Sequence, residues 1–446
     1  MTAIVLKVMI ALASGLLGAW MLRSRVMELP ERAFVRWAVG LQLVPAVVLF
    51  VVLYVLGHRE PTSDVPAFYL PEAHAVLAGK VPFRDFVSSY APLFSYVGAA
   101  LLSLWDSGKT FALFDTALNA ATLVLWHESA KVCFDQRTAR AASVLFATSG
   151  HVIVQGLLGT NQSWVAAPVA ASTLMILRER AAASGLIQAI AACTTKLLTH
   201  LFWPVFWIFT PRRSRWLLAA VLPTAALYLL FVSLGAGPNL LHPLQYEATL
   251  RSSGNLPYIL DLFLQAVGTS ERVILDALAA TALGVSLLWL FLRTRTIAAG
   301  PRATLLPGAL ALVGLTLMIF SKKSFTGYIV FVMYPLVSML VAGPRSGDET
   351  TRPPTAARVG FLLVFNVLLV AEPSLWFHLD GYHYNLPEWL AAGGSWAAVG
   401  FVGWDLALLA CYVYLAWLSA RWVQITVDGA MAERKATQSE TACSVV

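Results

Sequence analysis

The segment at residues 37–57, WAVGLQLVPAVVLFVVLYVLG, carries no charged side chain anywhere along its length. A helix needs about 20 apolar residues to cross the roughly 30 Å hydrocarbon core of a bilayer. Inside lipid the backbone amides and carbonyls have no water to bond, so the segment is expected to satisfy them internally as a helix. It therefore predicts a transmembrane helix.

The rest of the chain repeats this pattern. Of the 446 residues, 58% are hydrophobic and 12% are charged, and the mean hydropathy is +0.71. Because soluble domains carry about 25% charged residues, the bilayer is expected to be the main solvent. We predict an all-α, polytopic membrane protein with about thirteen transmembrane helices. The predicted spans lie near residues 3–22, 37–57, 110–127, 141–158, 163–177, 185–199, 201–210, 216–236, 273–292, 303–320, 325–342, 357–371 and 396–419.

The spans leave no soluble domain of any size. Residues 1–427 are expected to form one integral-membrane domain, and residues 428–446 a flexible cytoplasmic tail. Three loops on the predicted outer side are long, at 58–109, 237–272 and 373–395, and they are named the first, second and third outer loops. Short interfacial helices are expected within the first outer loop.

Basic residues set the predicted orientation. Most of the 31 lysines and arginines cluster at alternate helix ends, including Arg212, Arg213 and Arg215 after one span and Arg302 before another. The positive-inside rule makes this end cytoplasmic, which places the N-terminus outside and the C-terminus inside a plasma membrane, the inner membrane in a bacterium. The pI of about 9.3 reflects the same bias. The sequence has no basic strip with interleaved aromatic residues, so no nucleic-acid partner is predicted.

The first outer loop concentrates charge in REPTSDVPAFYLPEAHAVLAGKVPFRDFVSSYAPLF, residues 59–94. Asp64 in this stretch comes soon after the second span, at the predicted outer membrane boundary. A carboxylate there could act as a general base. The alternative is structural, because Ser63 or Asp64 before a helical turn also fits a helix N-cap.

Three lysines suggest a phosphate site on the same side. Lys196 lies in CTTKLLTHLFWP, four residues before His200, on the side that is poor in positive charge, and Lys322 and Lys323 form a second basic spot at the same predicted depth. Cations beside a carboxylate-rich loop suit an anionic headgroup whose lipid tail stays in the bilayer. The alternative is that these lysines only anchor helix ends at the interface.

The histidines give little indication of a metal. They show no HExxH or similar ligand spacing. His378, Asp380 and His383 cluster in the third outer loop, but histidines and aromatics at such a position are more typical of an interfacial belt. No cofactor is predicted, and a divalent metal is not indicated.

The first outer loop resembles that of the GT-C class of membrane glycosyltransferases, which use polyprenyl-phosphate sugars. In that class an Asp and a Tyr precede the pattern a..l..G..PY.D....Y.PPL. Here Asp64 and Tyr69 precede AVLAGKVPFRDF at 75–86 and SSYAPLFSY at 88–96. In particular, the chain is similar to the bacterial polyprenol-phosphomannose-dependent mannosyltransferases of the cell envelope.

Later motifs of that class follow in the same order, so that the resemblance covers roughly residues 37–342. They are matched loosely by GTNQSW at 159–164, TKLLTHLFWP at 195–204 and KKSFTGYIVFVMYP at 322–335. Two departures stand out: Gln162 replaces the acidic residue expected after the Asn, and no His precedes Tyr328.

The resemblance implies an inverting transfer of a sugar from a polyprenyl-phosphate donor to a glycan or lipid acceptor. Asp64 would be the general base, and Lys196, Lys322 and Lys323 would hold the donor phosphate. The residues implied to bind the sugar or the acceptor are Glu72, His74, Asp85, Tyr90, Asn161, His200, Tyr246, Glu247 and Tyr328.

Two other classes stay open. A permease for a lipid-linked oligosaccharide would carry charges within its spans, whereas these spans hold few charges besides Asp115, Asp276 and Asp405, which have no obvious partner in the sequence. An O-antigen-type ligase or polymerase depends on Arg and His in one long, late outer loop, whereas the most carboxylate-rich loop here comes early. The glycosyltransferase interpretation is therefore favoured.

Overall fold

A computed structural model describes residues 2–62, 64–266, 272–343, 354–380 and 395–443. These residues are mainly helical, and the only extended pairing among them is an isolated bridge between Pro82 and Phe86. The all-α prediction is therefore confirmed. In chain order the α-helices are α1 (Thr2–Met21), α2 (Glu31–Phe50), α3 (Leu70–Leu77), α4 (Phe94–Leu104), α5 (Lys109–Cys133), α6 (Gln136–Ala147), α7 (Gly150–Leu158), α8 (Gln162–Leu177), α9 (Ala181–Thr194), α10 (Trp203–Phe209), α11 (Arg213–Ser233), α12 (His242–Thr249), α13 (Leu256–Ala266), α14 (Arg272–Thr294), α15 (Ala299–Thr304), α16 (Leu306–Phe320), α17 (Met333–Ala342), α18 (Ala356–Asp380) and α19 (Ser395–Cys443). Shorter 3₁₀ turns lie at Arg25–Glu28, Leu197–Phe202, Gly237–Leu241 and Thr326–Phe331, and π-helical turns at Val51–Leu56 and Val65–Tyr69.

Six helices in the described part are long and apolar enough to cross a membrane. Half or less of each apolar stretch is buried inside the protein, so large apolar faces stay exposed. Exposed apolar surface on this scale indicates contact with lipid. The chain is therefore a multi-pass, membrane-embedded helical protein. The six segments are Ile4–Met21, Glu31–Leu56, Arg213–Ser233, Ala277–Thr294, Ala356–Phe377 and Val399–Ala432.

The other seven predicted spans also form helices, but none of them meets the same test alone. Helix α5 carries Asp115 and other polar groups, while α6 and α7 together make one apolar path bent by 48°. The rest are shorter, and α16 is almost entirely buried among its neighbours. A helix that faces protein on every side need not match the bilayer thickness as a lipid-facing one does. The count of thirteen stays a prediction.

Small residues allow the interior helices to approach closely. Gly150 opens α7, and a Cβ added there would overlap the Cα of Ala11 on α1. Ser149 caps the same helix end and bonds Asn366 of α18. Close backbone contact through Gly and Ala is the usual basis of helix association in membranes, where lipid competes for apolar contact.

The first and second outer loops each contact a segment that is distant in sequence. The first outer loop pairs with the end of α9, since the amides of Ala91 and Leu93 donate to the carbonyls of Thr195 and Cys193 at 2.9 and 2.8 Å. The second outer loop joins the turn after α16, where the Ser252 amide donates to the Lys322 carbonyl at 2.8 Å. Segments far apart in sequence thus come together, and Lys196 and Tyr328, which follow these two contacts in the chain, are neighbours.

Candidate functional site

Asp64 occupies the N-cap position of the π-helical turn Val65–Tyr69, yet its side chain makes no capping bond. Its Oδ2 instead accepts hydrogen bonds from the phenols of Tyr69 and Tyr90, each at 3.3 Å. The side chain is half-buried. The hydrogen bonds of Asp64 therefore do not support the alternative in which it serves as a helix cap. Ser63, the other cap candidate, lies outside the described residues.

The two tyrosines are fixed by an aromatic cluster. Tyr69 packs edge-on against Tyr90 and Phe94, with ring centroids 5.3 and 4.9 Å apart, and Tyr90 stacks on Phe94 at 4.2 Å. Burial raises the pKa of both phenols well above the usual value. Both therefore stay protonated at neutral pH, and they act as donors that hold the Asp64 carboxylate in one position.

Lys196 lies near the ring of Tyr90. Helix α9 ends at Thr194, and an extended residue at Lys196 starts the 3₁₀ turn Leu197–Phe202. The side chain is only 6% exposed, and its Nζ lies 6.0 Å from the ring centroid of Tyr90 and 5.4 Å from that of Tyr328. Two aromatic faces thus flank the ammonium group, and they favour a cation at this point.

Asp115 has polar neighbours in the fold, although the sequence suggested no partner for it, and in that respect the prediction is wrong. The carboxylate, on α5, is 1% exposed and accepts from the backbone amide of Asn161 at 3.0 Å. Lys196 lies close enough to attract it. The sequence analysis missed this hydrogen bond because the donor amide belongs to a turn 46 residues away in the chain.

That turn is built by the sequence GTN. Gly159 and Asn161 both have positive φ, at 66° and 54°, which Gly adopts freely and Asn tolerates better than most residues. Asn161 is fully buried, and within the described part its amide oxygen and nitrogen have no hydrogen-bond partner. The same holds for Oε1 of Gln162. Unsatisfied amide groups beside a buried lysine are suited to hydroxyl groups of a ligand.

Glu72 connects parts of the first outer loop that contain the site. It is 6% exposed, and Oε2 accepts from the hydroxyls of Ser88 and Ser95 at 2.8 and 2.7 Å, which ties α3 to the start of α4. Burial raises the pKa of this carboxyl, and the two serine bonds oppose part of that shift. The predicted sugar contact is thus engaged in holding the first outer loop together.

His74 and Asp85 lie at exposed positions with other partners. His74 Nε2 lies 2.8 Å from Asp106 Oδ1, and both side chains are more than half exposed. Asp85 accepts two bonds from Arg84 and one from the Val81 amide, and the Arg84 bond lowers its pKa to about 2. The Asp85 contacts stabilise a turn, whereas the His74 contact joins α3 to the segment that follows α4. None of these contacts involves Asp64.

The remaining lysines and His200 border the site. Lys322 and Lys323 are half-buried in the turn that receives the Ser252 amide, ahead of the 3₁₀ turn that contains Tyr328. His200 bonds the Leu197 carbonyl of its own turn at 3.0 Å and packs on Trp203.

The second outer loop reaches the site through aromatic contacts. The ring of Tyr246, on α12, lies 5.8 Å from Phe68, which lies 6.3 Å from Tyr90. Phe68 therefore links Tyr246 to the Asp64 cluster. The side chain of its neighbour Glu247 lies outside the described residues.

Two acidic residues, of which the sequence analysis singled out only Asp405, lie close together within the helices. Glu372 on α18 is 2% exposed and accepts from Ser253 and, at 3.2 Å, from Thr326. Asp405 on α19 is fully buried, and it approaches Glu372 across Gly254, at which a Cβ would lie 3.8 Å from the Asp405 Oδ1 and 3.9 Å from the Glu372 Cγ. Asp405 thus lies beside another acidic group rather than beside a cation. The Asp276 side chain lies outside the described part.

The described residues contain no group of three His, Cys, Asp or Glu side chains that could hold a metal ion. His383 and the side chains of His378 and Asp380 fall outside them. No protein-family model matches the chain, and no curated protein or solved structure is significantly similar to it.

Proposed function

We propose that this protein transfers a sugar from a polyprenyl-phosphate donor to an acceptor hydroxyl on the outer face of the membrane. The observation that carries the proposal is the arrangement around Tyr90, which bonds the Asp64 carboxylate through its hydroxyl and faces the Lys196 ammonium with its ring. A weak hydroxyl nucleophile needs a base, and a phosphate leaving group needs a cation; both groups are present here.

In the proposed reaction an acceptor hydroxyl attacks the anomeric carbon from the face opposite the phosphate. Asp64 takes the hydroxyl proton as the new C–O bond forms. The bond from the anomeric carbon to the phosphate oxygen breaks, and its electron pair leaves with the polyprenyl phosphate. Lys196 neutralises the charge that develops on that oxygen. The configuration at the anomeric carbon is inverted.

The surrounding residues take supporting roles in this proposal. The side-chain amide of Asn161 and Oε1 of Gln162, which have no partner in the described part, would bond sugar hydroxyls. Lys322 and Lys323 would attract the donor phosphate to the site. Tyr246 and Glu247 would contact the acceptor from the second outer loop. Glu72, His74 and Asp85 are assigned to loop structure because each already has partners there.

The membrane arrangement belongs to the same proposal. About thirteen spans, with the N-terminus outside and the C-terminus in the cytoplasm of a plasma membrane, place Asp64 and Lys196 at the outer boundary. A polyprenyl donor would keep its tail in the bilayer while its phosphate reaches Lys196.

One observation favours a second candidate, a permease for a lipid-linked oligosaccharide. The buried Glu372 and Asp405 lie inside the helices, and ionisable groups at such positions are common in transport pathways. In that case the Asp64 cluster would bind the headgroup of the cargo without breaking a bond. An O-antigen-type ligase or polymerase has no comparable observation in its favour.

Reconstitution of the purified protein in liposomes separates these candidates. Radiolabelled polyprenyl-phosphate hexoses and pentoses are supplied singly, with a mixed glycan and lipid acceptor extract, and empty liposomes serve as the control. Label that moves from one donor into acceptor supports the transferase and identifies the sugar. Movement of lipid-linked glycan across the liposome membrane with every donor left intact would replace the transferase with the permease.

A further inference from the structure

A cavity of about 720 Å³ lies at the other end of α10 from Lys196. It is formed where α10 gives way to α11, with α15 on its far side, and we name it the arginine pocket. Its lining includes Thr210, Arg212, Arg213, Ser214, Arg215 and Arg302.

The pocket is strongly positive. Four of its lining residues are arginines and none is acidic. Among the ion pairs of the described residues, none involves any of these arginines. Four guanidinium groups around one cavity repel one another, and an anion between them would remove that repulsion.

Two of the arginines are held in place by the protein. Arg213 donates to the Ile208 carbonyl at 3.2 Å and lies 5.1 Å from the ring of Trp207. Arg302 donates to the carbonyls of Arg295 and Ile297. Burial and the nearby charge of Arg213 lower the pKa of Arg302. The positive charges are therefore fixed beside one another before any ligand arrives.

Further donors lie at the same place. Helix α11 begins at Arg213, and its N-cap residue, Arg212, makes no capping bond with its side chain, so the positive end of a 21-residue helix meets the cavity. The Thr210 side chain is 1% exposed, and its hydroxyl has no hydrogen-bond partner in the described part; neither does Nε of Arg302. Guanidinium forks, a hydroxyl and a helix N-terminus are together the donor set that binds phosphate.

We propose that the arginine pocket binds a phosphate group, either as the headgroup of an anionic phospholipid or as a soluble phosphate. This site is separate from the Asp64 cluster, and the proposal does not depend on glycosyl transfer. In the predicted topology the pocket faces the cytoplasm, where anionic headgroups between helices are bound by basic pockets of this kind.

The test uses the full chain and the double variant Arg212→Gln/Arg215→Gln, which leaves the anchored Arg213 and Arg302 in place. The matched control is Arg32→Gln/Arg36→Gln, which removes two exposed arginines from another predicted cytoplasmic cluster. In detergent, Tm is measured with rising inorganic phosphate against chloride at equal ionic strength. In nanodiscs, Tm and the retained lipid, by native mass spectrometry, are compared for phosphatidylglycerol and phosphatidylcholine.

We expect a saturable rise in Tm, or a retained anionic lipid, for the wild type and the control, and at least a tenfold weaker effect in the Arg212→Gln/Arg215→Gln variant. A response to inorganic phosphate identifies a soluble ligand, whereas a response to phosphatidylglycerol alone identifies a headgroup. Equal behaviour of the wild type with phosphate and chloride, and with both lipids, would overturn the proposal whatever the variants do. An undiminished response in the double variant with unchanged basal Tm would do the same.

Discussion

The phenol oxygen of Tyr90 lies 3.3 Å from Oδ2 of Asp64. This bond joins two residues 26 positions apart, and it fixes the carboxylate at the end of the helices rather than letting it cap its own turn. The Lys196 ammonium lies 6.0 Å from the centroid of the Tyr90 ring, so this one side chain lies next to both the proposed base and the proposed phosphate ligand.

Tyr90→Phe removes this donor and keeps the ring. Since a hydrogen bond to a charged group contributes about 1.5–3 kcal/mol, we expect the rate of sugar transfer to fall by about 10- to 100-fold. Tyr96→Phe, a change on the exposed side of α4, is the matched control and should keep the wild-type rate. Initial rates at saturating donor check the prediction, and equal rates for the two variants would contradict it.

Lys196→Met tests the phosphate ligand. Removing one electrostatic donor from a transition state costs about 10²- to 10³-fold in rate, and we expect a loss of that order. Lys80→Met, at an exposed position of the first outer loop, provides the control. Because the change also alters a buried side chain near Asp115, Tm is measured for each variant alongside the rate. A well-folded Lys196→Met protein with wild-type turnover would refute the assignment.

Glu72 predicts a pH dependence of stability. Its pKa is raised by burial, so above the ordinary carboxyl range the folded state holds a proton that the unfolded state has lost. The contribution of the protonated Glu72 to folding stability is complete below the pKa that this carboxyl has in the unfolded chain. It is lost as pH rises through the pKa of Glu72 in the folded state. Glu72→Gln mimics the protonated form, so its Tm should vary less over this window. Thermal unfolding at several pH values tests this, and parallel profiles for wild type and variant would contradict it.

Helix packing gives a prediction that is independent of function. Gly150→Ala places a methyl group on Ala11, and overpacking of this kind costs about 1–3 kcal/mol. Gly40→Ala on α2 meets no atom within 4 Å and should leave Tm unchanged or slightly raised. The comparison is made by thermal unfolding in one detergent. If Gly150→Ala is as stable as Gly40→Ala, the close crossing of α1 and α7 is wrong.

The sequence predicted the helical class and the long lipid-facing helices because length and hydropathy depend only on local residues. It also predicted short helices in the first outer loop: α3 ends just before Gly79, where φ is +81°, and α4 follows the Pro92 turn. Contacts between residues that are distant in sequence could not be predicted. The hydrogen bond from the Asn161 amide to Asp115, and the approach of Asp405 to Glu372, depend on how helices pack against one another.

In the candidate site, too, the sequence identified individual residues but not which of them would be neighbours. Asp64, Tyr90, Lys196 and Tyr328 were selected from the sequence and lie together in the fold. His74 was selected on the same basis, yet it pairs with Asp106 at the surface. Local motifs indicate which residues are polar in an apolar chain, but only packing decides which of them face one another.

The proposed base is tested most directly by comparing Asp64→Asn with Asp106→Asn, an exposed aspartate of the same loop. Sugar transfer from the radiolabelled donor is measured for both variants and the wild type at matched expression and Tm. General-base catalysis contributes about 10²- to 10⁴-fold, so Asp64→Asn should lose at least about 100-fold while Asp106→Asn stays near wild type. Transfer by Asp64→Asn at a rate close to that of Asp106→Asn would contradict the proposed mechanism.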